Sequence, residues 1–68
     1  MTIEFPQPTG NYAQDCLAGE EFATALIERA QAKLDPAPLH FAILHLDQAK
    51  DGVKVGFAQA LALEIVQV

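Results

Sequence analysis

The sequence predicts a small all-α domain of three helices that follow an extended N-terminal arm. Three observations favour this fold class. Apolar residues recur every three or four positions over residues 11–34, two prolines interrupt the chain near residue 36, and alanine and leucine dominate residues 56–67. With 68 residues the chain forms at most one domain, residues 1–68. Its 51% hydrophobic and 19% charged residues argue against a disordered chain.

The arm is predicted to span residues 1–10. Pro6 and Pro8 fix the backbone φ angle and remove two amide donors, and each disfavours a helix in the residue before it. Ile3 and Phe5 alternate with polar residues, which would also fit a short edge strand. We expect both side chains to dock on the core.

The first helix is predicted over residues 11–34. Asn11 can cap it, and Gln14 stands three residues later, where a capping-box partner is expected. Gly19 weakens this helix by about 1 kcal/mol relative to alanine. Its apolar side is expected to contain Cys16, Phe22, Ala23, Leu26, Ile27, Ala30 and Leu34.

The second helix is predicted over residues 36–50. Asp35 is a suitable N-cap and Pro36 a suitable first helical residue. The stretch LHFAILHL is apolar on nearly every side, which indicates a buried element without deciding between helix and strand.

The third helix is predicted over residues 56–67. The alternative is a β-hairpin in which Asp51-Gly52 forms the turn between LHFAILHL and VKVGF. The first helix would then pack on this hairpin in an α+β fold. Three alanines, Leu61, Leu63 and Glu64 favour the helix on intrinsic preference.

Three short motifs resemble those of small uncharacterised proteins from bacteriophages and prophages of proteobacteria. The residues that carry this resemblance are Gly19, Ala23, Leu26 and Ile27, then Pro38, Leu39 and His40, then Gly52, Val53, Val55, Gly56 and Phe57. The resemblance covers about residues 12–63. It implies a mostly helical fold and a phage or prophage setting, and it brings no activity or site residues with it.

The charge of the chain disfavours several classes of partner. The formal net charge is −5 at pH 7, with only four lysines and arginines. Direct nucleic-acid binding is therefore not expected, because it depends on cations that neutralise phosphates. Anionic membranes are disfavoured for the same reason. With no signal-peptide pattern and no long apolar span, we expect a cytoplasmic protein.

The residue types that carry chemistry do not form a recognisable catalytic or metal site. Cys16 with His40 or His45 would need a third, orienting group to act as a nucleophile. His40 and His45 differ by five positions, which on a helix separates them by some 140°, so with Asp47 they offer poor metal geometry. We expect no enzyme activity, no cofactor and no metal.

The apolar C-terminal segment suggests a protein-interaction role. Residues 51–68, DGVKVGFAQALALEIVQV, hold only three charged residues, and exposed apolar patches mark interfaces. We predict a non-enzymatic module that self-associates or docks on a larger protein. The alternative is a phage inhibitor of a host nucleic-acid-handling complex, similar to an anti-CRISPR protein, that uses an acidic patch. The candidate interface residues are Phe57, Leu61, Ile65 and Val68, with Glu20 and Glu21 for the electrostatic contact.

Overall fold

The computed structural model describes residues 4–66, which contain three α-helices and no β-strand. Helix α1 spans Tyr12–Lys33, α2 spans Ala37–Leu44, and α3 spans Asp51–Val66; a single 3₁₀ turn, Leu46–Gln48, lies between α2 and α3. The all-α fold class is therefore confirmed. The hairpin alternative is wrong, because Asp51 and Gly52 form the first turn of α3.

Two helix boundaries differ from the sequence prediction. The predicted helix 36–50 is interrupted at His45, whose φ of −110° and ψ of 22° leave the helical region, and the chain continues as the 3₁₀ turn. Helix α3 begins at Asp51, five residues before the predicted start of helix 56–67. Gly52, which was a candidate turn residue, and Gly56, the predicted first residue of this helix, both lie inside α3.

The sequence suits the N-terminal end of helix α1 but not its C-terminal end. The side-chain oxygen of Asn11 accepts a hydrogen bond of 3.2 Å from the backbone N–H of Gln14, which satisfies one free donor of the first turn. At the other end Leu34 adopts φ 51° and ψ 39°, and its N–H donates to the carbonyl of Ala30. This left-handed position usually holds glycine.

Helices α1 and α3 run parallel and meet at three glycines. Gly52 lies beside Tyr12 near the start of α1, whereas Glu64 contacts Gln31 near its end. A Cβ added to Gly52 would stand 2.8 Å from the Tyr12 carbonyl oxygen, and one added to Gly19 would stand 2.9 Å from the amide nitrogen of Phe57. A Cβ on Gly56 would meet the Cys16 backbone. We call these contacts the glycine seam; they let the two backbones touch.

The core is built around three aromatic rings from three parts of the chain. The ring centroids of Phe5 and Phe22 are 5.4 Å apart, those of Phe5 and Phe57 5.8 Å, and those of Phe22 and Phe57 6.0 Å. These separations suit tilted and edge-to-face pairs. Docking of Phe5 is confirmed, whereas Ile3 lies outside the described residues. Small buried residues complete the core: Ala23, Ala42, Ala49 and Val53.

A buried carboxylate holds the arm against the start of α1. Asp15 is 3% exposed, and its Oδ1 accepts hydrogen bonds from the backbone N–H of Thr9 at 2.8 Å and from the Thr9 hydroxyl at 2.9 Å. Residues 4–9 form no strand, so the arm is joined to the domain by Phe5 and Thr9 rather than by sheet pairing.

We predict that Gly56→Ala lowers the free energy of unfolding by about 1–3 kcal/mol, because the added methyl group overpacks the glycine seam. In an open helix the same change would raise stability by about 1 kcal/mol. Urea denaturation followed by circular dichroism measures the effect, with exposed Gln59→Ala in the same helix as the control. A stability gain for Gly56→Ala would show that the backbones do not touch here.

We predict that Leu34→Gly raises the free energy of unfolding by about 0.5–1 kcal/mol. A left-handed backbone destabilises the folded state of a non-glycine residue by about 1–2 kcal/mol. Glycine removes this cost, but its unfolded state has more conformational entropy, which offsets part of the gain in stability. Leu34 is 89% exposed, so little burial is lost. The control is Lys33→Gly inside the helix, which should lower stability by about 1 kcal/mol; a loss for both variants would contradict the prediction.

Candidate interaction surface

An apolar groove lies between α2 and α3, with α1 as its floor. Helices α2 and α3 both pack on α1 but make few contacts with each other, so they form the two walls of the groove. The groove encloses about 330 Å³. Its lining comprises Ile27, Ala30 and Gln31 from α1, Leu39 and Ile43 from α2, and Leu61, Glu64 and Ile65 from α3.

The lining is almost entirely aliphatic. In the described part of the chain its only polar members are Gln31 and Glu64, which are both exposed. Nε2 of Gln31 donates a hydrogen bond of 3.4 Å to Oε1 of Glu64. Among residues 4–66, no nucleophile or histidine lines the groove. The groove can therefore bind apolar side chains by burial, with a polar contact only at its rim.

Large aliphatic residues are exposed in the groove and in the last turn of α3. Ile65 is 74% exposed and Val66 is 78% exposed, although both are large aliphatic residues. Ile43, on the α2 wall, is also exposed, whereas Leu39 and Leu61 are half-buried. Covering the groove would remove the exposed apolar surface of Ile43 and Ile65 from water.

The structure divides the predicted apolar interface residues into three groups. Phe57 has no exposed surface and contacts Phe5 and Phe22, so it belongs to the core and must be removed from the predicted interface. Leu61 and Ile65 both line the groove. Val68 lies outside the described residues.

The groove also contains residues that the sequence did not single out. Ile27 and Ala30 were expected on the apolar side of the first helix, and Leu39 and Ile43 were placed in a buried element. The sequence signal for the α2 wall was the stretch LHFAILHL, which is apolar on nearly every side. A helix that packs on one neighbour needs only one apolar face.

The predicted acidic pair does not form one open surface. Glu21 is exposed, but Glu20 is half-buried. Glu28 is exposed and lies seven positions after Glu21, which places both on one side of α1. Neither of these two carboxylates lines the groove, although Glu28 lies on α1 three positions before the lining residue Gln31 and so borders it.

The residues considered for catalysis or metal binding lie on different elements. Cys16 is a half-buried free thiol on α1, and His40 is exposed on α2. His45 follows α2 and places its ring 4.3 Å from that of Phe41. Asp47 is exposed in the 3₁₀ turn. Within residues 4–66 no three histidine, cysteine, aspartate or glutamate side chains gather as a metal site would require.

Tyr12 and Cys16, one helical turn apart, form a small titratable pair. The negative charge of the Cys16 thiolate raises the pKa of Tyr12 above 10.0, with smaller contributions from a side-chain hydrogen bond to Cys16 and from burial. A raised pKa favours the neutral phenol in the folded chain. This contribution to stability is present below pH 10 and is lost as the pH rises through the folded pKa of Tyr12.

No protein-family model, curated protein or solved structure matches the chain. Over residues 4–66, the helices lack the combination of length and hydropathy that a membrane crossing requires. The functional argument therefore depends on the geometry, exposure and charge of the groove.

We predict that Cys16→Ala lowers the titration midpoint of Tyr12 toward 10.0, because the variant removes both the thiolate charge and its hydrogen bond. Tyr12 is the single tyrosine and the chain has no tryptophan, so absorbance at 295 nm reports this phenol alone. Leu17→Ala, at the next position of α1, is the control and should leave the midpoint unchanged. An unchanged midpoint in Cys16→Ala would exclude the coupling.

Proposed function

We propose that this chain is a non-enzymatic, cytoplasmic protein-interaction module that binds a protein surface through the groove between α2 and α3. The observation that carries the proposal is the exposed Ile65 at the edge of an aliphatic groove. A phage or prophage setting is part of the proposal and rests on the sequence resemblance alone.

The shape of the groove supports binding of a helix or of a row of apolar side chains. Two helical walls on a helical floor resemble the sites that receive the apolar face of an amphipathic helix. Complete burial of one isoleucine or leucine side chain contributes about 1.5–3 kcal/mol. Ile43 and Ile65, one on each wall, would supply a large part of that gain.

The chemistry of the lining favours binding over catalysis. A catalytic site needs a nucleophile, acid or base in a pocket that can orient a substrate. Over residues 4–66, the only ionisable side chain in this groove is Glu64, which is exposed and accepts a hydrogen bond from Gln31. An exposed carboxylate at the rim of an apolar groove is suited to orienting a partner through a polar contact.

The acidic side of α1 carries the second candidate function, inhibition of a host nucleic-acid-handling complex. Glu21 and Glu28 are exposed and share one side of the helix, which would suit contact with a basic surface. Such binding weakens as salt rises, because exposed charges are screened. Binding through the aliphatic groove does not weaken in this way.

We predict that Ile65→Glu abolishes capture of the partner, whereas Leu17→Glu leaves capture unchanged. Both residues are exposed and both substitutions add one negative charge, but only Ile65 lines the groove. The tagged chain and both variants are exposed to host lysate at 0.1 M and 1 M salt, and bound proteins are quantified by mass spectrometry.

Groove binding is supported if one protein is retained at both salt concentrations and is lost only from Ile65→Glu. A protein that is lost from the unsubstituted chain at 1 M salt and retained by Ile65→Glu would instead favour the acidic-surface function. Equal capture by all three chains at both salt concentrations would contradict a role for the groove.

A further inference from the structure

We infer that the occupant of the groove is an amphipathic helix of another protein, and that this helix carries lysine or arginine beside its apolar stripe. This inference rests on the proposed function and names the chemistry of the partner.

The spacing of the aliphatic residues on the two walls fits a helical occupant. Leu39 and Ile43 are four positions apart on α2, and Leu61 and Ile65 are four positions apart on α3. Four positions correspond to about 6 Å along a helix axis. An amphipathic helix presents its apolar side chains at the same interval, so it can place successive side chains between the two walls.

One edge of the groove is acidic. Glu64 is exposed in the lining, and the Gln31 amide that donates a hydrogen bond to it is neutral, so the negative charge stays in place. Glu28 is exposed on α1 three positions before Gln31, which makes the two neighbours on the helix surface. We call Glu28, Gln31 and Glu64 the acidic edge.

The four lysines and arginines of the chain lie away from the acidic edge. Arg29 and Lys33 are each two positions from Gln31 on α1, which places them about 160° from it around the helix. Lys54 lies ten positions before the α3 carboxylate, about 15 Å along the axis, and Lys50 precedes the helix. The acidic edge therefore favours a basic partner and disfavours an acidic one.

The charge contact selects the partner, whereas burial of aliphatic side chains supplies most of the affinity. Removal of apolar surface from water depends little on salt. An exposed ion pair changes the affinity only about two- to fivefold, and salt screens it. Binding should therefore persist at high salt, while the preference for basic helices should fade.

The test selects a displayed library of helical peptides of about 16 residues, long enough to form a helix, on the immobilised full chain. All peptides share one leucine stripe, and each position that flanks the stripe holds lysine or glutamate in equal proportion. At about 0.1 M salt we expect lysine to exceed glutamate about two- to fivefold at one or more flanking positions. At about 1 M salt peptides should still bind, but without this preference.

Three variants locate the contact. Glu64→Lys should remove the preference, because it replaces the carboxylate of the groove with a cation. The control is Glu4→Lys, which makes the same charge change at an exposed residue of the arm outside the groove lining and should keep the preference. Ile65→Ser leaves the charge unchanged and should weaken binding of the selected peptides about tenfold or more. Circular dichroism checks that all three variants keep their helices.

Each other result overturns the inference. Absence of any enriched peptide excludes a helical occupant, and enrichment without a preference for lysine excludes a basic one. A preference that survives Glu64→Lys, or that Glu4→Lys removes equally, does not come from the acidic edge. Peptides that bind Ile65→Ser unchanged occupy another surface.

Failure here is distinguishable from failure of the proposed function. If the library yields no basic helix but capture from lysate is lost in Ile65→Glu, the groove remains a docking site and only the basic helix is removed as its occupant.

Discussion

The direct contact between the backbones of α1 and α3 is the constraint on which the rest of the structure depends. Gly19, Gly52 and Gly56 leave no room for a side chain at the crossing, so the helices approach more closely than ordinary side chains permit. This contact fixes α3 parallel to α1. The intervening chain must then return along the outside of α1, and it does so as the short helix α2 and the 3₁₀ turn.

The groove follows from the same arrangement. Since α3 is fixed on α1 by backbone contact, α2 packs on another part of α1 and leaves the aliphatic sides of Leu39, Ile43, Leu61 and Ile65 facing an open space. The core near the start of α3 is filled by three phenylalanine rings. Among residues 4–66, no aromatic ring lines the groove farther along α3, and the proposed partner would contribute side chains there.

Local sequence signals predicted the first helix well and the third only in part. Asn11 and the three-to-four spacing of apolar residues specify α1, because caps and periodicity are local properties. The start of α3 was missed because Asp51-Gly52 is typical of a turn, whereas in the structure Gly52 lies inside the helix, where the backbone of α1 leaves no room for a side chain. Phe57 was misassigned for a related reason: a segment that is apolar on all sides does not reveal which side meets its neighbour. Leu61 and Ile65 could be identified from composition, but the opposite wall required the tertiary arrangement.

The glycine seam also bears on how this chain acquires its structure. Gly19 and Phe57 stand 38 positions apart, so the contact that fixes the two helices is remote along the chain even though every element is helical. Proteins dominated by such remote contacts fold more slowly than ordinary helical bundles, because the entropy of closing a long loop is lost before any contact forms. While a ribosome is still adding α3, the apolar side of α1 has no parallel neighbour. The apolar side chains of α1 that pack on α3 therefore stay exposed to water until α3 has emerged.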